Sequence, residues 1–293
     1  MQLACIHTHT VFCDGKDDVE SCCLAAYNKG LSAIGFSSHA PVKNKTGFPN
    51  ECHVSEERLP EYMETVLAAK RRWEGRLPVY LGLEVDFVQG LMGPADRDFQ
   101  TMGLDFIIGS VHIVLPQRGG PFSVDDHTEK MMLGIKEGYG GDPMGMVEAY
   151  FDAQQEMIRA GGFDFLAHPD LVKKNRADIE GRGVKFFSEE DSLYREKTSA
   201  LAALMAGAGV PAEVNTGGMN RGKTLDCYPS LPLLKLFREN AVPMVINADA
   251  HKAEDLDGHH DEARKTMLAA GYTETVLFGG RQNGKAVWSS VKL

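Results

Sequence analysis

Long apolar runs are missing from this sequence. No stretch of the 293 residues approaches the ~20 unbroken apolar positions that cross a bilayer, so no membrane partner is expected. The opening MQLACIHTHT has no basic n-region and turns polar by His7, which predicts no signal peptide. Paired cysteine motifs are missing too. Cys5, Cys13, Cys22, Cys23, Cys52 and Cys227 contain no CxxC spacing. Without a secretion signal, that usage predicts a reduced, cytoplasmic protein without disulfides. Cationic excess is absent: 31 Lys and Arg stand against 41 Asp and Glu, a net charge of −10, and the basic residues are dispersed. Nucleic acid is therefore not an expected partner. There is no low-complexity tract, linker or fixed-period repeat, and the expectation is one domain over residues 1–293.

What is present is an alternation. Apolar residues make up 43% of the chain, enough for a sizeable core. Short β-rich runs fall at Leu3–Ile6, Ala33–Phe36, Val79–Val85, Phe106–Val111, Phe163–Ala167, Pro211–Val214 and Pro243–Ile246. Helical segments are predicted between them at Val19–Lys29, Ser55–Trp73, Gly145–Ala160, Glu189–Ala208 and Pro232–Asn240, and a last one at His260–Ala270. Gly30, Gly209 and Gly271 stand where C-caps would. A strand pair at Thr275–Phe278 and Ala286–Val291 is expected to close the chain. Strands alternating with helices imply βαβ units and a parallel sheet. Seven units with polar residues after nearly every strand suit a closed barrel better than an open sheet, which gathers ligands at one switch point.

The polar residues at those strand ends carry the chemistry. His7 and His9 end the first run, His39 follows the second, and Glu84 ends the third. His112 ends the fourth, His168 the fifth, and Asp249 and His251 the seventh; Asp14 lies in the first loop. Strand ends on one face of a barrel converge although they are far apart in sequence. In His7-x-His9 and Asp249-x-His251 the side chains share one face of an extended chain. Imidazoles and carboxylates suit zinc, iron or manganese. Nine such residues exceed one ion's needs, so two or three divalent ions are expected. Packing alone is a poor explanation, because buried imidazoles and carboxylates without partners are costly. His53, His127, His259 and His260 read as surface residues, and Cys13 as a small turn residue.

These motifs resemble those of the polymerase and histidinol phosphatase (PHP) family of metal-dependent phosphoesterases, and its histidinol-phosphatase branch in particular. His-Thr-His-Thr followed by Cys13-Asp14-Gly15, then Gly-Leu-Glu-Val-Asp, Gly-Ser-Val-His and Asn-Ala-Asp-Ala-His, are similar to the family's motifs. Cys13 stands where the family more often has Ser. Glu213-Val-Asn215-Thr-Gly-Gly, Arg221 and Tyr228-Pro-Ser resemble a segment of the phosphatase branch. The resemblance implies a distorted (β/α)7 TIM-like barrel and a trinuclear site. By that likeness one ion takes His7, His9, Glu84 and Asp249. A second shares Glu84 and takes His112 and His168. A third takes Asp14, His39 and His251.

The implied reaction is hydrolysis of a phosphate monoester, L-histidinol phosphate to L-histidinol and phosphate, a step of histidine biosynthesis. Metal ions would activate water and offset phosphoryl charge. Asp14, Glu84 and Arg221 are the expected catalytic residues. Arg221, Lys173 and Lys174 are candidate phosphate donors, and Asn215 a candidate substrate contact. Glu213, Asp86 and Asp170 are carboxylates that could meet the substrate's cationic end. The residues leave open a phosphoesterase acting on nucleotides or other small phosphates, a metal-dependent amidohydrolase, and a non-catalytic metal-binding module. Oligomeric state is left open.

Overall fold

A computed structural model describes residues 2–49 and 51–293. It is an α/β fold around a curled parallel sheet. Six strands form that sheet: β1 (Ile34–Phe36), β2 (Val79–Asp86), β3 (Phe106–Ser110), β6 (Phe165–Leu166), β7 (Ala212–Asn215) and β8 (Met244–Asn247). They lie in chain order, β1-β2-β3-β6-β7-β8, with every neighbour parallel. Two antiparallel hairpins accompany it: β4 (Ile113–Val114) with β5 (Phe122–Ser123), and β9 (Glu274–Gln282) with β10 (Lys285–Lys292).

The first predicted run, Leu3–Ile6, does not form a ladder. Single parallel bridges form instead, Cys5 with Ile34 on one side and Thr8, just beyond the run, with Ala250 on the other. His9 N donates to Ala250 O at 2.8 Å, and Ala250 N to His7 O at 3.1 Å. This extended segment therefore spans from β1 to the chain just after β8, and the sheet curls toward closure around it. The fifth run shrinks to two paired residues.

Helices lie at Val19–Asn28, Leu59–Arg72, Pro143–Ala160, Ser192–Ala208, Leu231–Glu239 and His260–Ala269. The second starts four residues later than expected. Ser55 builds a turn ahead of it, accepting from Arg58 N through Oγ, and Pro60 sits in the first turn, where its fixed φ is pre-organised. A helix at Thr128–Tyr139 was not expected; its sequence TEKMMLGIKEGY is interrupted by glycine, which weakens the periodic signal.

Inside the curl, Ile6, Phe106, Ile108, Phe165, Ala167 and Val245 form a cluster with Phe278 of β9. Phe106 and Ile108 are two apart and share the inner face of β3. The β9–β10 hairpin closes the N-terminal end of the sheet. Arg281 reaches Asp105 O and Asp164 Oδ2, which lie just before β3 and β6. The C-terminal strand ends are thus left for the site. Gly82 packs so closely on Phe106 that an added Cβ would lie 2.4 Å from its Cζ.

Gly82→Ala should overpack this interior and lower unfolding free energy by about 1–3 kcal/mol. Urea titration reads this directly; an unshifted midpoint would contradict the packing.

Candidate metal centre

The C-terminal strand ends carry the polar residues inward. Glu84 lies within β2 and forms a parallel bridge with His39, just beyond β1. His112 follows β3, His168 follows β6, and Asp249 and His251 follow β8. His168 and Asp249 both adopt positive φ, 20° and 48°. Such backbone conformations are costly for residues other than glycine and cluster at functional sites.

All nine donor residues predicted from the sequence come together. His7 Nε2 lies 3.3 Å from Glu84 Oε2 and 3.6 Å from Asp249 Oδ1. His9 Nε2 lies 3.5 Å and 3.2 Å from the same two oxygens. The other Glu84 oxygen, Oε1, is 2.9 Å from His168 Nε2 and 3.6 Å from His112 Nε2. Farther out, Asp14 Oδ2 is 3.1 Å from His251 Nε2, and Oδ1 is 3.8 Å from His39 Nε2. The donor atoms of His9, Asp14, His39 and His251 all fall within 4.8 Å of one another. So do those of His7, His9 and Asp249, and of His7, Glu84 and His168.

The cluster fits a set of cations. His7 Nε2, His9 Nε2, His39 Nδ1, Asp14 Oδ1 and Glu84 Oε2 are buried without a hydrogen-bond partner. Buried polar atoms normally have one, and converging imidazole nitrogens and carboxylate oxygens are a donor set for a divalent ion. Several of the ring nitrogens facing away are held, although His168 Nδ1 is buried without a partner. His7 Nδ1 is 2.8 Å from Glu213 Oε1, His112 Nδ1 is 3.0 Å from Asp86 Oδ1, and His251 Nδ1 is 3.0 Å from Asp249 O. His9 Nδ1 meets Cys13 Sγ at 3.5 Å. Metal-binding imidazoles are commonly oriented in this way.

Electrostatics follow from the crowding. Burial disfavours a charged His7, but Glu213, Glu84 and Asp249 override it and raise its pKa well above the usual range. Glu84 does the same for buried His39. Buried His112 is raised to about 9 by Asp86 and Glu84. Burial together with His251 and His39 pushes His9 down to about 3. Burial alone would raise Glu84, yet His7, His39 and His112 hold it well below its usual value.

The candidate substrate contacts divide. Arg221 reaches the cluster: its Nη2 donates to Asp249 Oδ2 at 3.0 Å, and its Nη1 is 2.8 Å from His251 Nδ1. Lys174 lines the same pocket. Lys173 does not: its buried ammonium donates to Asp170 Oδ2 and Cys227 O. Asn215 is fully buried, donating to Glu213 Oε2 and accepting from Gly217 N. Both are corrections, because sequence position near a strand end does not say which way a side chain turns. Glu213, Asp86 and Asp170 are likewise committed inward, Glu213 to His7 and His168 N, Asp86 to His112 and His53, Asp170 to Lys173 and Ser230 N.

Two histidines expected on the surface are elsewhere. The His53 side chain is 6% exposed, with Nε2 3.2 Å from Asp86 Oδ2, and it lines the cleft outside the cluster. His260 is buried near the start of its helix. His127 lines the cleft, and His259 stays exposed. The pocket at the cluster holds about 130 Å³ and opens into a cleft of about 940 Å³; Asp14, His39, His112, Asp125 and Lys174 line both. Asp125 escaped the sequence reading because it lies in a long segment without periodic pattern. The Glu84-x-Asp86 spacing placed Asp86 on the face of Glu84 and was its available signal.

The PHP domain profile matches residues 6–217. The chain belongs to the PHP domain family. A Deinococcus radiodurans protein named as a probable histidinol-phosphatase is 29% identical over 279 residues, covering 94% of this chain and 96% of that one. A Listeria monocytogenes structure assigned as a histidinol phosphatase superposes with a TM-score of 0.75 at 25% identity, over 88% of this chain and 99% of that one. The histidinol phosphate phosphatase of Lactococcus lactis, solved with zinc, L-histidinol and phosphate, shares the PHP fold with a TM-score of 0.65 at 18% identity, over 98% and 99% of the chains.

Cations binding this cluster must displace protons from His7, His39 and His112. Apparent zinc affinity should therefore rise with pH from neutrality through the His112 value of about 9, with proton release seen by calorimetry in buffers of different ionisation enthalpy. A pH-independent affinity would count against it. Chelation of protein purified with metal should lower Tm by about 5 °C or more, read by differential scanning calorimetry.

Proposed function

We propose that this chain is a histidinol phosphatase that hydrolyses L-histidinol phosphate to L-histidinol and phosphate. The observation that carries the reading is Glu84, with His7, His9 and His39 gathered at one oxygen and His112 and His168 at the other. It is supported by relatives of nearly equal length that bear that name. We read the fold as a distorted (β/α)7 barrel, with Leu3–Ile6 as the seventh stave.

His7, His9, Glu84 and Asp249 would hold one divalent ion. Glu84, His112 and His168 would hold a second, and Asp14, His39 and His251 a third; zinc is the first ion to test. Bound there, such ions supply a water of lowered pKa and offset charge on phosphoryl oxygens. The protein's own groups do the rest. Glu213 and Asp86 fix the ring orientations of His7 and His112. Arg221 and Lys174 place two basic side chains on the pocket wall, and a guanidinium can grip phosphate with two parallel hydrogen bonds. The narrow pocket takes the phosphate, and the wider cleft takes the alcohol. A small-molecule ester suits these volumes.

The purified, metal-loaded enzyme should prefer L-histidinol phosphate over nucleotides and other monoesters by at least about tenfold in kcat/KM. A flat panel would favour a general phosphoesterase. Arg221→Ala should raise KM for phosphate esters about tenfold or more with metal content retained by elemental analysis. Unaltered kinetics would remove Arg221 from phosphate binding. Asp249→Ala or His168→Ala should lower metal content and abolish most turnover; full activity in either would overturn its ligand role.

A further inference from the structure

The three carboxylates that the sequence offered for the substrate's ammonium are all turned inward. Asp125 is not. It lines both the pocket at the cluster and the wide cleft, where the two meet. Lys174 stands beside it at the same junction and donates to Asp125 Oδ2 at 2.8 Å and to Asp125 O at 2.9 Å. Ser123 Oγ donates to the other carboxylate oxygen. The pair is largely shielded, with side chains 14% and 23% exposed. The neighbouring Asp126 lines only the wider cleft and faces Lys130.

We infer that Asp125 and Lys174 exchange partners with the substrate, Lys174 turning to the phosphate and Asp125 to an ammonium on the alcohol. The inference rests on the phosphatase reading and deepens it. An amino-alcohol phosphate such as L-histidinol phosphate has its ammonium two carbons from the ester oxygen. It therefore brings an anion and a cation together to a junction that holds a cation and an anion. Each charge leaves one partner and gains another. A phosphate ester without the amine draws Lys174 away and leaves the partly shielded Asp125 with Ser123 but no cation, and removing one charge of a shielded pair is unfavourable. Polar groups left unpaired by the wrong substrate are an effective source of discrimination. Asp125 is thus a specificity-determining residue, and the substrate class is 2-amino-alkyl phosphates.

The test compares L-histidinol phosphate with its des-amino analogue, 3-(imidazol-4-yl)propyl phosphate, on metal-loaded wild type and Asp125→Asn. The wild-type kcat/KM ratio should favour the amine by at least about tenfold, and D125N should lower that ratio severalfold. An unaltered ratio in D125N overturns the inference. Lys174→Met provides a second readout by calorimetry, with metal content and Tm checked for both variants. Phosphate affinity should weaken while L-histidinol affinity tightens, because Asp125 is released. Both affinities moving the same way would overturn the exchange, and this arm decides if D125N does not fold. If the wild type hydrolyses simple monoesters but not L-histidinol phosphate, the narrower substrate reading fails by itself. The ratio of phosphoethanolamine to ethyl phosphate in wild type and D125N then tests the exchange.

Discussion

Glu84 is the group on which this architecture depends. It is 1% exposed, and both of its oxygens are surrounded by imidazole nitrogens. A carboxylate so placed is costly unless positive charge is brought to it. Glu84 raises the pKa of His7, His39 and His112 and so favours their charged forms, and divalent ions would bring positive charge more strongly. The surrounding structure answers the same demand. Glu213 and Asp86 steady the rings from behind, and Arg221 steadies Asp249.

The two ends of the curled sheet divide the work. At the N-terminal end, Phe106, Phe165 and Phe278 stack into an apolar plug with Trp288 against it. The hairpin is tied there by Arg281 to Asp164. At the C-terminal end the strands stop short, and the chain turns at unfavourable backbone angles in His168 and Asp249. A packed, apolar interior can hold such strain in place. Stability is concentrated away from the chemistry, so the polar end is free to be assembled from groups that destabilise a core.

The junction between pocket and cleft carries a different logic. Lys174 and Asp125 meet there, and neither is a donor in the nine-residue cluster. The cluster acts on phosphorus whatever alcohol is attached. Distinguishing one alcohol from another requires groups farther out, and these come from the irregular segment around residue 125 and from the short helical turn after β6. Chemistry thus sits on strand ends and selectivity on loops, the usual division in barrel proteins.

Sequence alone determined the identity of the converging donors and the parallel α/β character. Both are written in local pattern: β-rich runs with helical segments between them, and a histidine or acid at the same end of nearly every run. Pairs such as His7-x-His9 state their common face through the two-residue period of extended chain. Tertiary structure decided everything that depends on which way a side chain turns once the strand has ended. Lys173 and Lys174 are adjacent, yet one is sealed against Asp170 and the other opens into the pocket. Asn215 and Glu213 became internal supports, and His53 joined the cleft wall. The bridging of Leu3–Ile6 and the placement of Asp125 are also long-range outcomes. No local period encodes them, because they arise from backbone bonds and ion pairs between segments that only the folded chain brings together.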